Sequence, residues 1–303
     1  MTILTDFQQK ITNLLPGFDI RLNEPMAKHT SFRIGGNAEV MIFPRNAEEL
    51  SEILKASVFL DIKPYILGAG TNVLAPDEGM GGLVIVLKDC LDGLEKVDAT
   101  HIRVAAGVTL TRAALFAASH GLSGLEFAHG IPGTLGGAVY MNAGAYGGEI
   151  CQVCTQVELM DMNGIVHVVS GEEMNFSYRH SRVEEDGTIV VSAIFALEPC
   201  SEHEIREKMQ DLMNRRKNSQ PLDMPSAGSA FKRPVGGYAA ALIDEAGLKG
   251  YQVGGAAVSE KHAGFVVNIG GATADDVKQL LKDVAQIVLE KSGIQLEPEV
   301  RIW

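Results

Sequence analysis

The chain has 303 residues, of which 46% are hydrophobic and 21% charged, and its formal net charge is -12 at pH 7. This composition is typical of a globular protein with more than one core, and it excludes disordered, collagen-like and fibrous classes. The acidic balance offers no broad basic surface to nucleic acid, and no apolar run reaches membrane-spanning length. We therefore expect a cytoplasmic multidomain protein that acts on small molecules, without nucleic acid, a membrane or an obligate protein partner.

Helices are predicted where a capping residue precedes apolar residues at helical spacing. The first begins after Asn46, and a second, TLTRAALFAASHG, stops at Gly121. Ser201 opens a third with an S-x-x-E pattern, and a fourth runs from Thr273 to Gly293.

Strand patterns fill the spaces between these helices. Apolar runs occur in PYILGAGTNVL, in LVIVLK (83–88) and in HIRVAAG, and residues 151–198 alternate as hairpin strands with Asn-Gly and Asp-Gly turns. The tail IQLEPEVRIW predicts a terminal strand with Glu297, Glu299 and Arg301 on one face.

This order of elements predicts an α+β protein. A polar stretch, RRKNSQPLDMPSAGS, ends the helix opened by Ser201, and we place a domain boundary near residue 199. The predicted domains are 1–198, with subdomains of about 1–88 and 89–198, and 199–303.

The cysteines carry no recognisable chemistry. The chain has four, including a C-x-x-C pair at Cys151 and Cys154, which is too few for a disulfide scaffold and fits a reducing compartment. A metal site needs a second pair or histidines at ligand spacing, and neither follows. We predict free thiols and no metal site.

Two glycine-rich segments bring backbone N–H groups within reach of an anion, because glycine has no Cβ and adopts positive φ freely. The first covers residues 68–72, directly after the strand PYIL, and the second lies within residues 121–148. Neither is a Rossmann fingerprint, since GAGTNV lacks the third glycine, and a P-loop lysine is missing too. Together they suit a long dinucleotide held extended between subdomains.

Eight motifs follow one another along nearly the whole chain. They are HTSFRIGG (29–36), LGAGTNVL (67–74), GIPGTLGGAVYMNAGAYGGE (130–149), FSYRHS (176–181), SAGSAFKRP (226–234), LIDEAGLKG (242–250), KHAGFVVN (261–268) and LEPEVR (296–301). In this order the motifs resemble those of the UDP-N-acetylenolpyruvoylglucosamine reductase family. The short stretch after FSYRHS resembles the smaller type II subtype, which lacks an inserted tyrosine-bearing loop.

The resemblance implies the FAD-binding fold shared with p-cresol methylhydroxylase and vanillyl-alcohol oxidase. Two α/β subdomains would form this FAD-binding part, and a C-terminal α/β domain would bind the substrate. The implied reaction is the NADPH-dependent reduction of UDP-N-acetylglucosamine enolpyruvate to UDP-N-acetylmuramate in peptidoglycan precursor synthesis, with FAD as cofactor.

Three residues match the catalytic positions of the family. Arg179 in FSYRHS resembles the arginine that contacts the substrate carboxylate, and Ser229 resembles the proton donor to the carbanionic carbon. The LEPEVR match selects Glu299 rather than Glu297 as the third. Residue type alone leaves open a structural ion pair for Arg179 and a turn position for Ser229.

The two glycine-rich segments would hold FAD without a covalent bond. Their cofactor-binding residues are Gly68, Ala69, Gly70, Thr71, Asn72, Gly130, Ile131, Pro132, Gly133, Thr134, Gly136, Gly137, Asn142 and Gly144. His129 adjoins the second segment, and some relatives of this fold attach FAD through a histidine. The reductases that the chain resembles hold FAD noncovalently, so we expect the same here.

A UDP-sugar diphosphate requires cations, which the predicted substrate domain supplies. The candidates are Lys217, Lys232, Arg233, Lys261 and His262. Arg215 and Arg216 stand at the same helix end as Lys217, where an ordinary solvated basic end is the alternative. Arg233 departs from the pattern of family members that have asparagine after the lysine.

Two other functions fit the same loops. One is another FAD oxidoreductase of this fold, which would oxidise a sugar or an alcohol and use oxygen. The other is a flavin- or nucleotide-binding module without turnover, for which Ser229→Ala would have little effect.

Overall fold

The computed structural model describes residues 4–88 and 90–303, so residues 1–3 and 89 of the predicted first domain lie outside the described residues. The chain forms two compact units. The first comprises Met1–Asn23, Glu39–Ala69 and Gly81–Asn214, and the second comprises Glu24–Ala38, Gly70–Met80 and Arg215–Trp303.

These units differ from the linear domains that the sequence predicts. The last border follows Asn214 instead of lying near residue 199, and residues 24–38 and 70–80 belong with the C-terminal part of the chain. Composition and polar stretches report local structure, whereas membership of a compact unit depends on contacts between distant segments. The predicted loop 68–72 is accordingly divided, with Gly70, Thr71 and Asn72 in the second unit.

Helices account for the regular structure around the strands. The α-helices are Asp6–Leu14, Ala47–Phe59, Leu110–Ser119, Leu135–Tyr140, Arg182–Asp186, Glu202–Ser219, Ala239–Glu245 and Ala274–Ser292, and the 3-10 helices are Met26–Lys28, Glu126–Ala128 and Ile150–Gln152. None of the helices within 4–88 and 90–303 combines the length with the apolar character that spanning a bilayer requires.

The four predicted helices are confirmed, and their caps explain where they begin and end. Asn46 accepts the N–H of Glu49 at 2.8 Å, and Thr273 forms a capping box with Asp276. Gly293 ends the last helix with a φ of 72°, a conformation that glycine adopts without strain. The helix Asp6–Leu14 is an addition to the prediction, although its T-x-x-Q capping box is visible in the sequence.

The first unit contains two larger sheets. One has the strand order Asp19–Pro25, Asn37–Phe43, Met80–Val86, Tyr65–Leu67, and the other has the order Val166–Ser170, Cys154–Met160, Ile189–Ala196, His101–Ala105, Leu94–Lys96. The second sheet is antiparallel throughout and contains the hairpin predicted at Asn163-Gly164. The hairpin turn predicted at Asp-Gly is wrong, because Gly187 instead ends the helix Arg182–Asp186 with a φ of 65°. Two short pairs join Gly144–Ala145 to Gly148–Glu149 and Leu122–Ser123 to Glu198–Pro199.

The second unit contains an antiparallel sheet with the order Ser226–Ser229, Phe265–Asn268, Ala256–Val258, Gln252–Val253. A short parallel pair joins Arg301–Ile302 to Val73–Leu74. Each unit has its own buried apolar cluster. In the second unit this cluster includes Val277, Leu280 and Val284 on one face of the helix Ala274–Ser292, which packs on the sheet.

The predicted terminal strand is much shorter than expected, since only Arg301–Ile302 is a strand. The preceding residues are extended and pair backbone to backbone: the N–H of Lys232 donates to the Glu297 carbonyl and that of Glu299 donates to the Ala230 carbonyl, both at 2.9 Å. Pro298 lies between them opposite Phe231, at a position whose nitrogen is not used in this pairing. The segment then changes partner, since the N–H of Arg301 donates to the Asn72 carbonyl, and no continuous ladder forms.

Candidate active site

The two predicted glycine loops approach each other in the first unit. A Cβ on Gly68 would lie 2.5 Å from Thr134 Oγ1, so any other residue would displace the Thr134 side chain. The second loop is also fixed to residue 106, because the N–H of Gly136 donates to the Ala106 carbonyl at 2.9 Å. Glycine at these positions keeps the backbone accessible, and this arrangement fits a phosphate-bearing cofactor.

His129 lies beside the second glycine loop. Its Nδ1 atom is buried and has no hydrogen-bond partner within residues 4–88 and 90–303. Burial lowers the pKa of His129 and the charge of Arg206 lowers it further, so the imidazole is neutral at pH 7. Buried polar atoms are rarely left unsatisfied, and the orphaned nitrogen fits a site that receives a polar group of a ligand.

Arg179 occupies a tight turn in the first unit. The N–H of His180 donates to the Ser177 carbonyl at 3.2 Å, and the N–H of Ser177 donates to the His180 carbonyl at 3.1 Å. Arg179 has a φ of 58°, in the left-handed region that is unfavourable for a side chain with a Cβ. Its guanidinium donates to the Gly144 carbonyl at 3.5 Å and lies 4.9 Å from the ring centre of Tyr178.

A β-bulge sets the direction of Ser229 in the second unit. Ser226 pairs with Val267 and Ser229 pairs with Phe265, so two residues on one strand face a single residue on the other. Gly228 within the bulge has a φ of 76°. Ser229 is exposed and the next residue is buried, so the bulge presents the hydroxyl while the strand continues over the core. Bulges of this kind recur beside active sites.

Three sequence motifs meet at Glu299 in the second unit. The N–H of Glu299 donates to the carbonyl of Ala230, the residue after Ser229, and the Glu299 carbonyl accepts Nδ2 of Asn72 at 3.2 Å. The N–H of Arg301 donates in turn to the Asn72 carbonyl at 2.9 Å. SAGSAFKRP, LGAGTNVL and LEPEVR are therefore adjacent. The sequence predicts a cofactor contact for Asn72, and its side-chain amide also holds the backbone of Glu299.

Three of the predicted cations contact partners in the second unit. Lys232 Nζ lies 2.6 Å from Oε1 of Glu297, whose side chain is exposed. Lys261 Nζ donates to the Lys217 carbonyl at 2.6 Å, which brings these two predicted substrate-binding residues together. Arg233 stacks on a tyrosine, with its Cζ 4.5 Å from the ring centre of Tyr238.

The remaining candidates contribute differently from the expectation. Arg216 is buried and donates to Gln220 Oε1 at 3.1 Å, so it supports the end of its helix. Burial lowers the pKa of His262, and its Nδ1 accepts the N–H of Gly264 at 3.1 Å. Because His262 is neutral at pH 7, it offers a hydrogen bond to a ligand and adds no positive charge to the cluster.

Ser31 links two segments of the second unit and is not among the predicted site residues. Its hydroxyl donates to the Ser226 carbonyl at 2.6 Å, and its N–H donates to the Gly70 carbonyl at 3.0 Å. It thereby ties the first residue of the strand that carries Ser229 to the segment that carries Asn72. The HTSFRIGG motif was the available signal, although a motif does not state what its serine contacts.

The C-x-x-C pair consists of free thiols. Cys154 is buried, and burial raises its pKa to about 12. A thiol with this pKa is protonated at pH 7 and is a poor nucleophile and metal ligand. Cys151 is exposed, and partial desolvation of its thiol, together with the nearby Glu149 carboxylate, raises its pKa.

Comparison with known proteins identifies both parts of the chain. Residues 38–170 match the family described as "FAD binding domain", and residues 220–303 match "UDP-N-acetylenolpyruvoylglucosamine reductase, C-terminal domain". A UDP-N-acetylenolpyruvoylglucosamine reductase from Caldanaerobacter subterraneus is 47% identical over 293 residues, which are 97% of this chain and 96% of that protein. One from Streptococcus pneumoniae is 44% identical over 295 residues, 97% of each chain. The crystal structure of the Thermus caldophilus enzyme has a TM-score of 0.79 at 36% identity and covers 94% of this chain and 98% of that one.

The architecture and the glycine loops thus define an FAD-binding oxidoreductase of mixed α and β structure. Within that class, the similarity along almost its whole length shows that the chain belongs to the UDP-N-acetylenolpyruvoylglucosamine reductase family. The expected α+β fold of the p-cresol methylhydroxylase and vanillyl-alcohol oxidase type is confirmed, and FAD is the cofactor. Family membership favours the reductase over the oxidase and over the module without turnover.

Proposed function

We propose that this protein reduces UDP-N-acetylglucosamine enolpyruvate to UDP-N-acetylmuramate in peptidoglycan precursor synthesis, with noncovalently bound FAD and NADPH as the hydride donor. The observation that carries the proposal is the backbone hydrogen bond from the N–H of Glu299 to the carbonyl of Ala230, the residue that follows the exposed Ser229 on its bulge. This contact makes the segments that carry the proposed acid and the proposed carboxylate neighbours, although their motifs lie far apart in the sequence.

The glycine loops that contain Gly68 and Thr134 would hold FAD, which would supply hydride transfer from NADPH to the vinyl carbon of the substrate. The protein must then stabilise negative charge at the carbon beside the carboxylate. Arg179 carries a fixed positive fork that binds a carboxylate in two places, and it opposes the charge that develops there. We assign Arg179 to the substrate carboxylate.

Ser229 donates the proton that completes the reduction. A serine hydroxyl is a weak acid, but the carbanionic carbon is a strong base, so matching of pKa values is less demanding than for a neutral substrate. Glu299 lies next to this strand and is proposed to polarise the carboxyl group of the substrate or to supply protons. The balance is one hydride to the vinyl carbon and one proton to its neighbour.

The UDP diphosphate is proposed to bind the cations of the second unit. Lys261 Nζ contacts the backbone carbonyl of Lys217, so these two residues are adjacent, and a diphosphate would compete with Glu297 for Lys232. Arg233 and the neutral His262 are assigned to the same ligand, His262 as a hydrogen-bond donor.

Gly228→Ala tests whether the bulge aims Ser229. A Cβ at Gly228 would meet no atom within 4 Å, so the cost comes from its φ of 76° and amounts to about 1 kcal/mol of stability. We expect substrate reduction to slow by roughly tenfold to a hundredfold, because a small displacement of a proton donor has effects of that order. Thermal unfolding and single-turnover substrate reduction measure the two effects.

Gly293→Ala is the matched control for this prediction. Gly293 has a φ of 72°, equally open surroundings and a position at the end of the helix Ala274–Ser292. Gly293→Ala should lose about as much stability as Gly228→Ala and retain the normal rate of substrate reduction. Equal rates in the two variants would show that the bulge does not aim the catalytic hydroxyl.

Anaerobic stopped-flow spectroscopy tests the proposed function as a whole. NADPH should bleach the flavin absorbance, and the enolpyruvyl UDP-sugar should restore it faster than any simple sugar or alcohol does. Repeating the first step with NADH measures the preference between the two donors. A flavin that NADPH does not reduce, or that the UDP-sugar does not reoxidise, would refute the proposal.

A further inference from the structure

Asn142 is a polar side chain buried in the first unit, with an exposed fraction of only 1%. Its Oδ1 accepts the N–H of Cys151 at 3.0 Å, and its Nδ2 donates to the Ser177 carbonyl at 3.0 Å and to Glu149 Oε2 at 3.3 Å. Both amide protons and the amide oxygen are therefore used inside the protein. This side chain is committed to joining segments of the chain, whereas the sequence predicts a cofactor contact.

The carbonyl that Asn142 binds is the one that closes the turn of Arg179. Ser177 accepts both the amide of Asn142 and the N–H of His180. Arg179 stands between them with its left-handed φ of 58°, a conformation that persists only where the surroundings enforce it. The hydrogen bond from Asn142, which lies outside the turn, helps to stabilise this conformation.

The residues beside Asn142 also hold the C-terminal side of the Arg179 turn. Ser181 is fully buried, and its hydroxyl donates to the Tyr140 carbonyl at 2.9 Å. Residues 177 and 181 are thus both fixed to residues 140–142, which end a helix and begin the loop with Gly144. The Arg179 guanidinium reaches back to the carbonyl of Gly144. Both the backbone and the side chain of Arg179 are therefore positioned by residues 140–144.

We propose that Asn142 is a positioning residue for Arg179: its buried amide fixes the turn from which the guanidinium reaches the substrate. The inference rests on the proposed role of Arg179 at the substrate carboxylate. Asparagine suits the position for two reasons. It tolerates the φ of 41° found at residue 142, and it donates toward the Glu149 carboxylate, which an aspartate in its place would repel.

Asn142→Gly and Asn142→Asp test this role in the FAD-loaded enzyme. Glycine removes the amide and accepts the backbone conformation, and aspartate keeps the shape but replaces the donor with an oxygen. We expect each to slow substrate reduction by about tenfold to a hundredfold, with flavin reduction by NADPH unchanged. Asn175→Gly is the matched control, because Asn175 is exposed with a φ of 49°, and it should behave as the wild type.

Ligand binding gives a readout that general loosening of the fold would not move. By calorimetry, both Asn142 variants should bind the enolpyruvyl UDP-sugar about tenfold more weakly, as expected for a disturbed charge-assisted contact. Their affinity for UDP-N-acetylglucosamine, which has no carboxylate, should stay at the wild-type value. An equal loss of affinity for both ligands would overturn the proposal.

A double-mutant cycle completes the test. If Asn142 acts through Arg179, then Asn142→Gly adds no further loss to Arg179→Ala. The same loss in both backgrounds, or release of flavin from the Asn142 variants, would overturn the positioning role while leaving the proposed function intact. Normal substrate reduction by Arg179→Ala alone would instead refute the assignment of Arg179 and the inference with it.

Discussion

Replacing Ser229 with alanine is expected to slow reduction of the enolpyruvyl UDP-sugar by about 10²- to 10⁴-fold, the range typical of a lost general acid. Reduction of the flavin by NADPH should keep its normal rate, because that step needs no proton from Ser229. The fold should be unaffected, since Ser229 is exposed and the bulge that carries it depends on the backbone of Gly228. Stopped-flow measurement of the two half-reactions separates these effects.

Ser226→Ala is the matched control for this prediction. Ser226 begins the same strand, and its contact with Ser31 uses its backbone carbonyl, which the substitution retains. The control should carry out both half-reactions normally. If Ser229→Ala reduced the substrate as fast as Ser226→Ala, another group or water would be the proton source, and the assignment of Ser229 would fail.

The elements that the sequence predicts well are those whose ends are fixed locally. Thr273 and Asp276 cap each other within one turn, and Gly293 ends the same helix through its own backbone conformation. The hairpin strands are equally local, because the turn at Gly164 joins neighbours in the sequence. Capping and turn chemistry can be read from short stretches of residues.

The sequence indicates candidate site residues and not their geometry. Motifs select Arg179, Ser229 and Glu299 as candidates, but the left-handed turn of Arg179 and the bulge before Ser229 depend on segments far away in the sequence. Asn142 shows the limit most clearly. Its motif indicates a cofactor loop, whereas its amide is used by Cys151, Ser177 and Glu149.

The predicted length of the terminal strand was wrong for a related reason, because partners far away in the sequence determine its pairing. Alternation of polar and apolar residues predicts a strand through Pro298, and the backbone there is extended. After Glu299, however, the segment changes partner from residues 230–232 to Asn72 and Leu74, so it forms no continuous ladder with either. The placement of Glu299 therefore depends on Ala230 and Asn72, two partners that no local pattern could identify.

Removing the Arg179 side chain is expected to have the second large effect. Arg179→Ala should slow substrate reduction by about 10²- to 10³-fold, as for loss of one group that stabilises developing charge. Arg179→Lys should recover only part of this, because a lysine keeps the charge and lacks the planar fork. Arg182→Ala, which removes a nearby arginine paired with Asp186, is the control and should retain normal rates of both half-reactions.

Arg179→Gly distinguishes the side chain from the backbone on which it stands. Glycine adopts the φ of 58° without strain, so this variant should be more stable than Arg179→Ala by about 1 kcal/mol. Both variants lack the guanidinium, so both should reduce the substrate equally slowly. Thermal unfolding compares their stability, and single-turnover kinetics compares their chemistry. If Arg179→Gly reduced the substrate at the normal rate, the guanidinium would not be required for the reaction. The slow rate of Arg179→Ala would then be due to backbone strain in the turn.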